Sequence, residues 1–235
     1  MQNNKPKKNI IKKLIIGIIA VIALSVTGFF IYVADYYHAD QAALDILKEN
    51  QNIEIKDNLT ILYPEIPGDT ALIFYPGAKV ESLAYLPILD KIRDGGITCI
   101  LVDMPFNLAI FDSDASEEIY QKLPEIKNWY IGGHSMGGAM ASSYAAKNQD
   151  KVKGLILLGA YIYGDYPVSK TLTIYGSFNN NLEKNIDYTE NVVVIQGGNH
   201  AKFGNYGAQK GDPEGTITTE EQQNIAVDNI VDFVK

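Results

Sequence analysis

From residue 53 onward, short apolar runs alternate with longer stretches of helical periodicity, and this alternation constrains the fold more than any other feature of the chain. The runs are 59–63, 71–75, 98–102, 129–131, 154–158, 172–175 and 192–195. Most are rich in Val, Ile, Leu and Tyr and end at Gly, Pro or Asp. Continuous apolar runs of this length read as strands covered on both faces, the condition of a parallel sheet. Between them, 82–93, 116–122, 136–147 and 219–234 carry helical spacing, and the last opens on Thr218-Thr219-Glu220-Glu221, a capped start. The expected architecture is α/β, a mainly parallel doubly wound sheet with helices on both faces and a site at the carboxyl ends of the strands. A chain of 235 residues holds one core of this kind and is too short for two.

The N-terminal part obeys a different rule. Residues 14–34 contain no charge, and as a helix they span about 30 Å, the thickness of a bilayer's hydrocarbon core. Lys5, Lys7, Lys8, Lys12 and Lys13 precede this stretch, which places the N-terminus in the cytoplasm and the body outside. A cleaved signal peptide is the competing reading. Its apolar region is shorter, however, and Tyr32-Val33-Ala34 is a poor cleavage site. A buried core helix is a third reading. The expected organisation is a basic tip and transmembrane anchor at 1–34, a helical spacer at 35–52 and a body at 53–235.

Charge narrows the partners. The formal net charge is -8, yet five of the 20 basic residues lie in the first thirteen positions and no acid precedes Asp35. The rest of the chain is therefore strongly acidic, which argues against nucleic acid and against docking of the body on an anionic surface. The single cysteine, Cys99, lies in an apolar run, allows no internal disulfide and reads as a buried hydrophobe.

Chemistry concentrates in Gly132-Gly133-His134-Ser135-Met136-Gly137-Gly138, a G-x-S-x-G pattern that follows an apolar run and precedes a helix of small residues. A serine on a sharp strand-to-helix turn has a positive φ. Side chains two residues to either side would collide, so both positions are Gly. The hydroxyl then stands at a helix N-terminus, whose free N–H groups and partial positive charge favour a developing oxyanion. The alternative reading is a glycine turn that only packs helix on strand. Neither a phosphate-binding glycine pattern nor metal-ligand spacing occurs, so no metal and no other cofactor is expected.

A nucleophilic serine needs a base. Of the three histidines, His38 lies beside the apolar N-terminal stretch, and His134 adjoins Ser135 and should point under the turn. His200, in Gly197-Gly198-Asn199-His200 after the last expected strand, remains. The second oxyanion donor is expected from Pro76-Gly77-Ala78-Lys79-Val80, with the N–H of Ala78 first and that of Lys79 second, beside the N–H of Met136.

These segments, together with Phe74-Tyr75-Pro76-Gly77-Ala78-Lys79-Val80 and Met104-Pro105-Phe106-Asn107-Leu108-Ala109, resemble the alpha/beta-hydrolase superfamily, and within it the compact bacterial dienelactone-hydrolase-like group (family 5 type). The resemblance covers about residues 57–235 and implies a Ser–acid–His triad that cleaves an ester or similar acyl bond in the order this fold uses. It also locates a departure. The family's acid position falls at Asn179, in Gly176-Ser177-Phe178-Asn179. Asp165, after the 154–158 run, is the alternative acid, and Asp187 a second. Only about a dozen residues separate the runs at 154–158 and 172–175, so no lid domain is expected and accessible acyl substrates are favoured. The leading expectation is a membrane-anchored serine hydrolase for a small-molecule acyl substrate. An acyltransferase using the same site and a non-catalytic binding protein on the same scaffold are the alternatives.

Overall fold

The computed structural model describes residues 5–235; the first four residues of the expected basic tip lie outside the described part. The chain divides after Tyr36 into two units. The first is one helix, α1 (Lys5–Ala34). Its segment Ile10–Ala34 is long and apolar enough to cross a membrane by length and composition. A signal sequence meets the same criterion.

The second unit begins at Tyr37, ahead of the expected body boundary. Residues expected as a spacer fold onto the body instead. Tyr37 pairs with Val80 as an isolated parallel bridge, and its N–H donates to the Lys79 carbonyl at 2.7 Å. Asp40 then caps α2 (Gln41–Glu49), its Oδ1 accepting the Ala43 N–H at 2.9 Å. The apolar face of this short helix, Ala43, Ile46 and Leu47, packs on the core. A nine-residue helix is marginal alone, and this burial explains its presence.

The sheet has eight strands: β1 (Ile53–Lys56), β2 (Leu59–Leu62), β3 (Thr70–Tyr75), β4 (Thr98–Val102), β5 (Asn128–His134), β6 (Gly154–Leu158), β7 (Thr171–Gly176) and β8 (Val192–Ile195). Their spatial order is β1-β2-β4-β3-β5-β6-β7-β8. The β1–β2 and β2–β4 pairs are antiparallel and all others parallel. Seven strands fall on the expected runs. The eighth, β1, escapes an apolar-run search because it is an exposed edge strand carrying Glu54 and Lys56, a composition that discourages edge-to-edge pairing.

The period of two along each strand sorts the sheet's residues into two cores. Leu72, Phe74, Cys99, Leu101, Ile156 and Leu158 face α3 (Leu86–Asp94) and α7 (Thr219–Val234). Ala71, Ile73, Tyr75, Ile100, Val102, Leu155 and Leu157 share the other core with Ile119 of α4 (Ser116–Lys122) and with Ala141 and Tyr144 of α5 (Met136–Lys147). Cys99 is fully buried in the first core, where burial pushes its thiol up and out of the reactive range. Helix α7 opens with the capping box its sequence announces. Thr218 Oγ1 accepts the Glu221 N–H at 3.1 Å, and Glu221 Oε2 accepts the Thr218 N–H at 2.7 Å. Residues 159–170 connect β6 to β7 with one 3-10 turn, Val168–Lys170.

Candidate active site

Strand β5 runs on through Gly132, Gly133 and His134 directly into Ser135, the residue immediately before α5. Ser135 has φ 54° and ψ −121°, a strained conformation for a residue with a side chain. The flanking glycines are dictated by contact. A Cβ on Gly133 would lie 2.6 Å from the Tyr75 carbonyl oxygen, and one on Gly137 would fall on the carbonyl oxygens of both Tyr75 and Pro76. The turn is thus pressed against the end of β3, and only hydrogen atoms fit in the gap.

His134 points under this turn, as its position beside Ser135 implies. It is fully buried between Tyr85 and the His200 backbone. Its Nδ1 lies 2.7 Å from the Tyr85 hydroxyl and its Nε2 lies 3.0 Å from the His200 carbonyl oxygen. The Tyr85 hydroxyl accepts the Gly77 N–H at 3.1 Å, so its own proton is free to go to His134 Nδ1. The remaining ring proton then sits on Nε2 and is donated to His200. Burial, and next the neighbouring His200, hold His134 well below the usual histidine range, so it stays neutral. One buried chain therefore ties the Pro76–Val80 loop to the backbone of His200. Tyr85→Phe would strand the Gly77 N–H and His134 Nδ1 without partners, a loss of about 2–4 kcal/mol. Denaturant unfolding of the two proteins would measure it, and equal midpoints and slopes would show the bridge carries no stability.

His200 follows β8 on a loop held from two sides. Gln222 of α7 accepts the Asn199 N–H and donates to the Asn199 carbonyl, both at 2.9 Å. The 176–179 loop is clipped on by the Phe178 N–H to the Gly198 carbonyl at 3.0 Å and by the Gly197 N–H to Ser177 Oγ at 2.9 Å. This clip delivers Asn179 to the His200 ring, with Nδ2 2.9 Å from Nδ1. A side-chain amide can meet the ring in two ways. Donating from Nδ2, it puts the ring proton on Nε2. Turned over, Oδ1 accepts the Nδ1 proton and leaves Nε2 with a free lone pair. Burial lowers His200 below the ordinary histidine value, against an opposing effect of the Asp212 charge.

Ser135, Met136, Asn179 and His200 line one cavity of about 350 Å³, together with Tyr161, Tyr163, Leu182 and Asn185. Asp165 and Asp187, the two candidate acids of the sequence, are exposed and lie outside that lining. The β6–β7 connection explains the absence of Asp165. The Tyr163 N–H is anchored on Ser142 Oγ at 2.8 Å, and the chain then turns outward, where the Asp165 carbonyl accepts from Gln149 Nε2 at 2.6 Å. The ring partner is thus Asn179, the residue at the family's acid position. His38 is exposed and lies 3.6 Å from Glu81.

In the Pro76–Val80 loop, the Gly77 N–H is held by Tyr85. The Lys79 N–H donates to the Asn107 carbonyl at 2.8 Å and the Val80 N–H to the Gly77 carbonyl at 3.3 Å. Among the described residues, the Ala78 N–H has no acceptor and remains available. Tyr85 and Asp212 were not legible as site residues. Each acts across the fold, from 49 residues before His134 and 12 residues after His200, with no local motif to announce it. Among the described residues no group of three or more His, Cys, Asp and Glu is placed to hold a metal ion.

Residues 71–224 match the alpha/beta hydrolase family, and the chain belongs to it. No match was found among curated proteins. Solved structures that share the fold include the following three. TT1662 from Thermus thermophilus superposes with TM-score 0.52 at 12% identity, over 75% of this chain and 93% of that one. A dienelactone hydrolase from Anabaena variabilis gives 0.50 at 14%, over 74% and 90%. Est1E from Butyrivibrio proteoclasticus, with ferulic acid bound, gives 0.53 at 14%, over 74% and 94%. At these identities the likeness is one of fold.

Proposed function

We propose that the chain is a serine hydrolase that cleaves a carboxylic ester or related acyl bond of a small, accessible substrate. The observation that carries this reading is the strained Ser135 sharing one open cavity with His200, whose other ring nitrogen is met by Asn179. With the amide turned so that Oδ1 holds the Nδ1 proton, His200 Nε2 takes the hydroxyl proton of Ser135 as Oγ attacks the acyl carbon. The N–H groups of Met136 and Ala78 hold the oxyanion. His200 returns the proton to the leaving alcohol. Water, deprotonated by the same ring, then releases the acid. An alcohol in place of that water would make the enzyme an acyltransferase.

The helix Ile10–Ala34 serves in this proposal as an uncleaved anchor. The preceding lysines stay in the cytoplasm and the hydrolase unit lies on the other side of the cell membrane. One experiment tests both parts. A fluorophosphonate probe applied to cells should label a full-length band that remains in carbonate-washed membranes and disappears on heating or with Ser135→Ala. A folded native chain that does not label would favour a binding protein on a hydrolase scaffold. A shortened, soluble labelled band would remove the anchor and keep the enzyme.

A further inference from the structure

The acid position of the site holds a neutral amide, so nothing directly on the His200 ring offsets the charge it gains when it takes a proton. The loop that carries His200 does, however, bring a carboxylate back to it. Asp212 lies 12 residues downstream and grips two consecutive amides: Oδ1 accepts the His200 N–H at 3.2 Å and Oδ2 the Ala201 N–H at 2.8 Å. Asp212 also lines, with His200 and Asn179, a second cavity of about 400 Å³. Among the described residues no other carboxylate lines either cavity that His200 faces.

We propose that Asp212 is a positioning residue for His200, fixing its backbone and supplying from the base's own loop the negative charge that Asn179 lacks. The inference rests on the serine-hydrolase reading of the site. It assigns the orienting and electrostatic roles of a triad acid to two residues: Asn179 sets the ring's tautomer, and Asp212 stabilises the imidazolium through space.

The other groups facing the ring do not replace it. His134, packed against His200 at 4.5 Å between ring centroids, is buried and neutral. Lys202 turns its ammonium to the carbonyls of Gly215 and Ile217, at 3.1 and 2.5 Å. Lys210 lines the second cavity as well. The direction of the Asp212 contribution is upward for His200, against the larger effect of burial.

The test reads His200 directly. The full-length protein in detergent, labelled at histidine, is titrated by NMR, with His200→Gln to assign the signal. Asp212→Asn keeps one acceptor oxygen and removes the charge. It should lower the His200 midpoint by about one pH unit. It should also move the acidic limb of kcat/KM down by the same amount and reduce kcat about tenfold. Asp212→Glu should restore most of both. An Asp212→Asn protein with an unmoved midpoint would overturn the proposal even if activity fell, because a purely structural brace leaves the ring's titration in place. Should the Asn variant not fold, the Glu variant decides: a midpoint near that of the native protein supports the charge role, and one that drops contradicts it. A chain that neither labels nor turns over would remove the hydrolase reading, while the NMR titration would still decide whether Asp212 sets the charge of His200.

Discussion

Asn179→Asp is expected to raise kcat by on the order of 10²–10⁴. The reverse exchange in a serine protease triad costs about 10⁴, mainly because the imidazole is then held in the wrong tautomer. The amide meets Nδ1, 2.9 Å away, and can do so through either end; whenever Nδ2 faces the ring, the ring proton sits on Nε2 and blocks proton uptake from Ser135. A carboxylate at the same place can only accept. It would hold the proton on Nδ1 in every molecule and stabilise the imidazolium by charge. The backbone needs no change, since the clip between the 176–179 and 195–198 segments uses main-chain groups and Ser177, not the Asn179 side chain. The sign of the accompanying pH effect follows. A carboxylate on the ring favours the protonated form, so the His200 midpoint rises and the acidic limb of kcat/KM moves to higher pH. Steady-state kinetics on a p-nitrophenyl ester across pH would measure both. An Asn179→Asp variant no faster than the native chain would show that the amide already serves as well as an acid, or that chemistry does not limit the rate.

His200→Ala should reduce kcat by about 10⁴–10⁶ and abolish fluorophosphonate labelling, because the base and its nucleophile act as a unit. The residual rate would come from the oxyanion donors and binding alone. Under the proposed mechanism the required form of His200 is neutral. Burial lowers its midpoint from the ordinary histidine value of 6.5, so the neutral form dominates at pH 7 and persists somewhat below 6.5. Activity should accordingly be lost only as pH falls through that lowered midpoint, and this acidic limb should vanish in His200→Ala. The variant loses no buried partner of the Tyr85–His134 chain, which ends on the His200 carbonyl. A retained rate within tenfold of native would assign the base elsewhere and end the present reading of the site.

The strands and the elbow were legible in the sequence because their signals are local. An apolar run of five residues and a pair of glycines around a serine each express a constraint that neighbours in the chain impose on one another. His200 was reached only from its place after the last expected strand, and its role as base belongs to the proposed function. The start of the folded unit was less legible. Tyr37 and α2 join the body through contacts with Lys79, Glu81 and Asn205, more than forty positions away at the least, and no periodicity within 35–52 announces those partners. The partner of the His200 ring illustrates the same limit. Asp165 has the right chemistry and follows the right strand, but a turn anchored on Ser142 and Gln149 directs it outward, and Asn179 arrives instead.

By itself, then, the order of residues determined an α/β sheet, an apolar N-terminal helix, and a serine held in strain at the end of β5, since each follows from sterics and burial over a few adjacent positions. Only the tertiary structure decided what surrounds His200: the amide of Asn179 on its ring, the carboxylate of Asp212 on its backbone, and the Tyr85–His134 chain beneath it. Those are contacts between segments that meet through folding. Their geometry is set by how the loops at the strand ends are clipped together, a property no single stretch of chain contains.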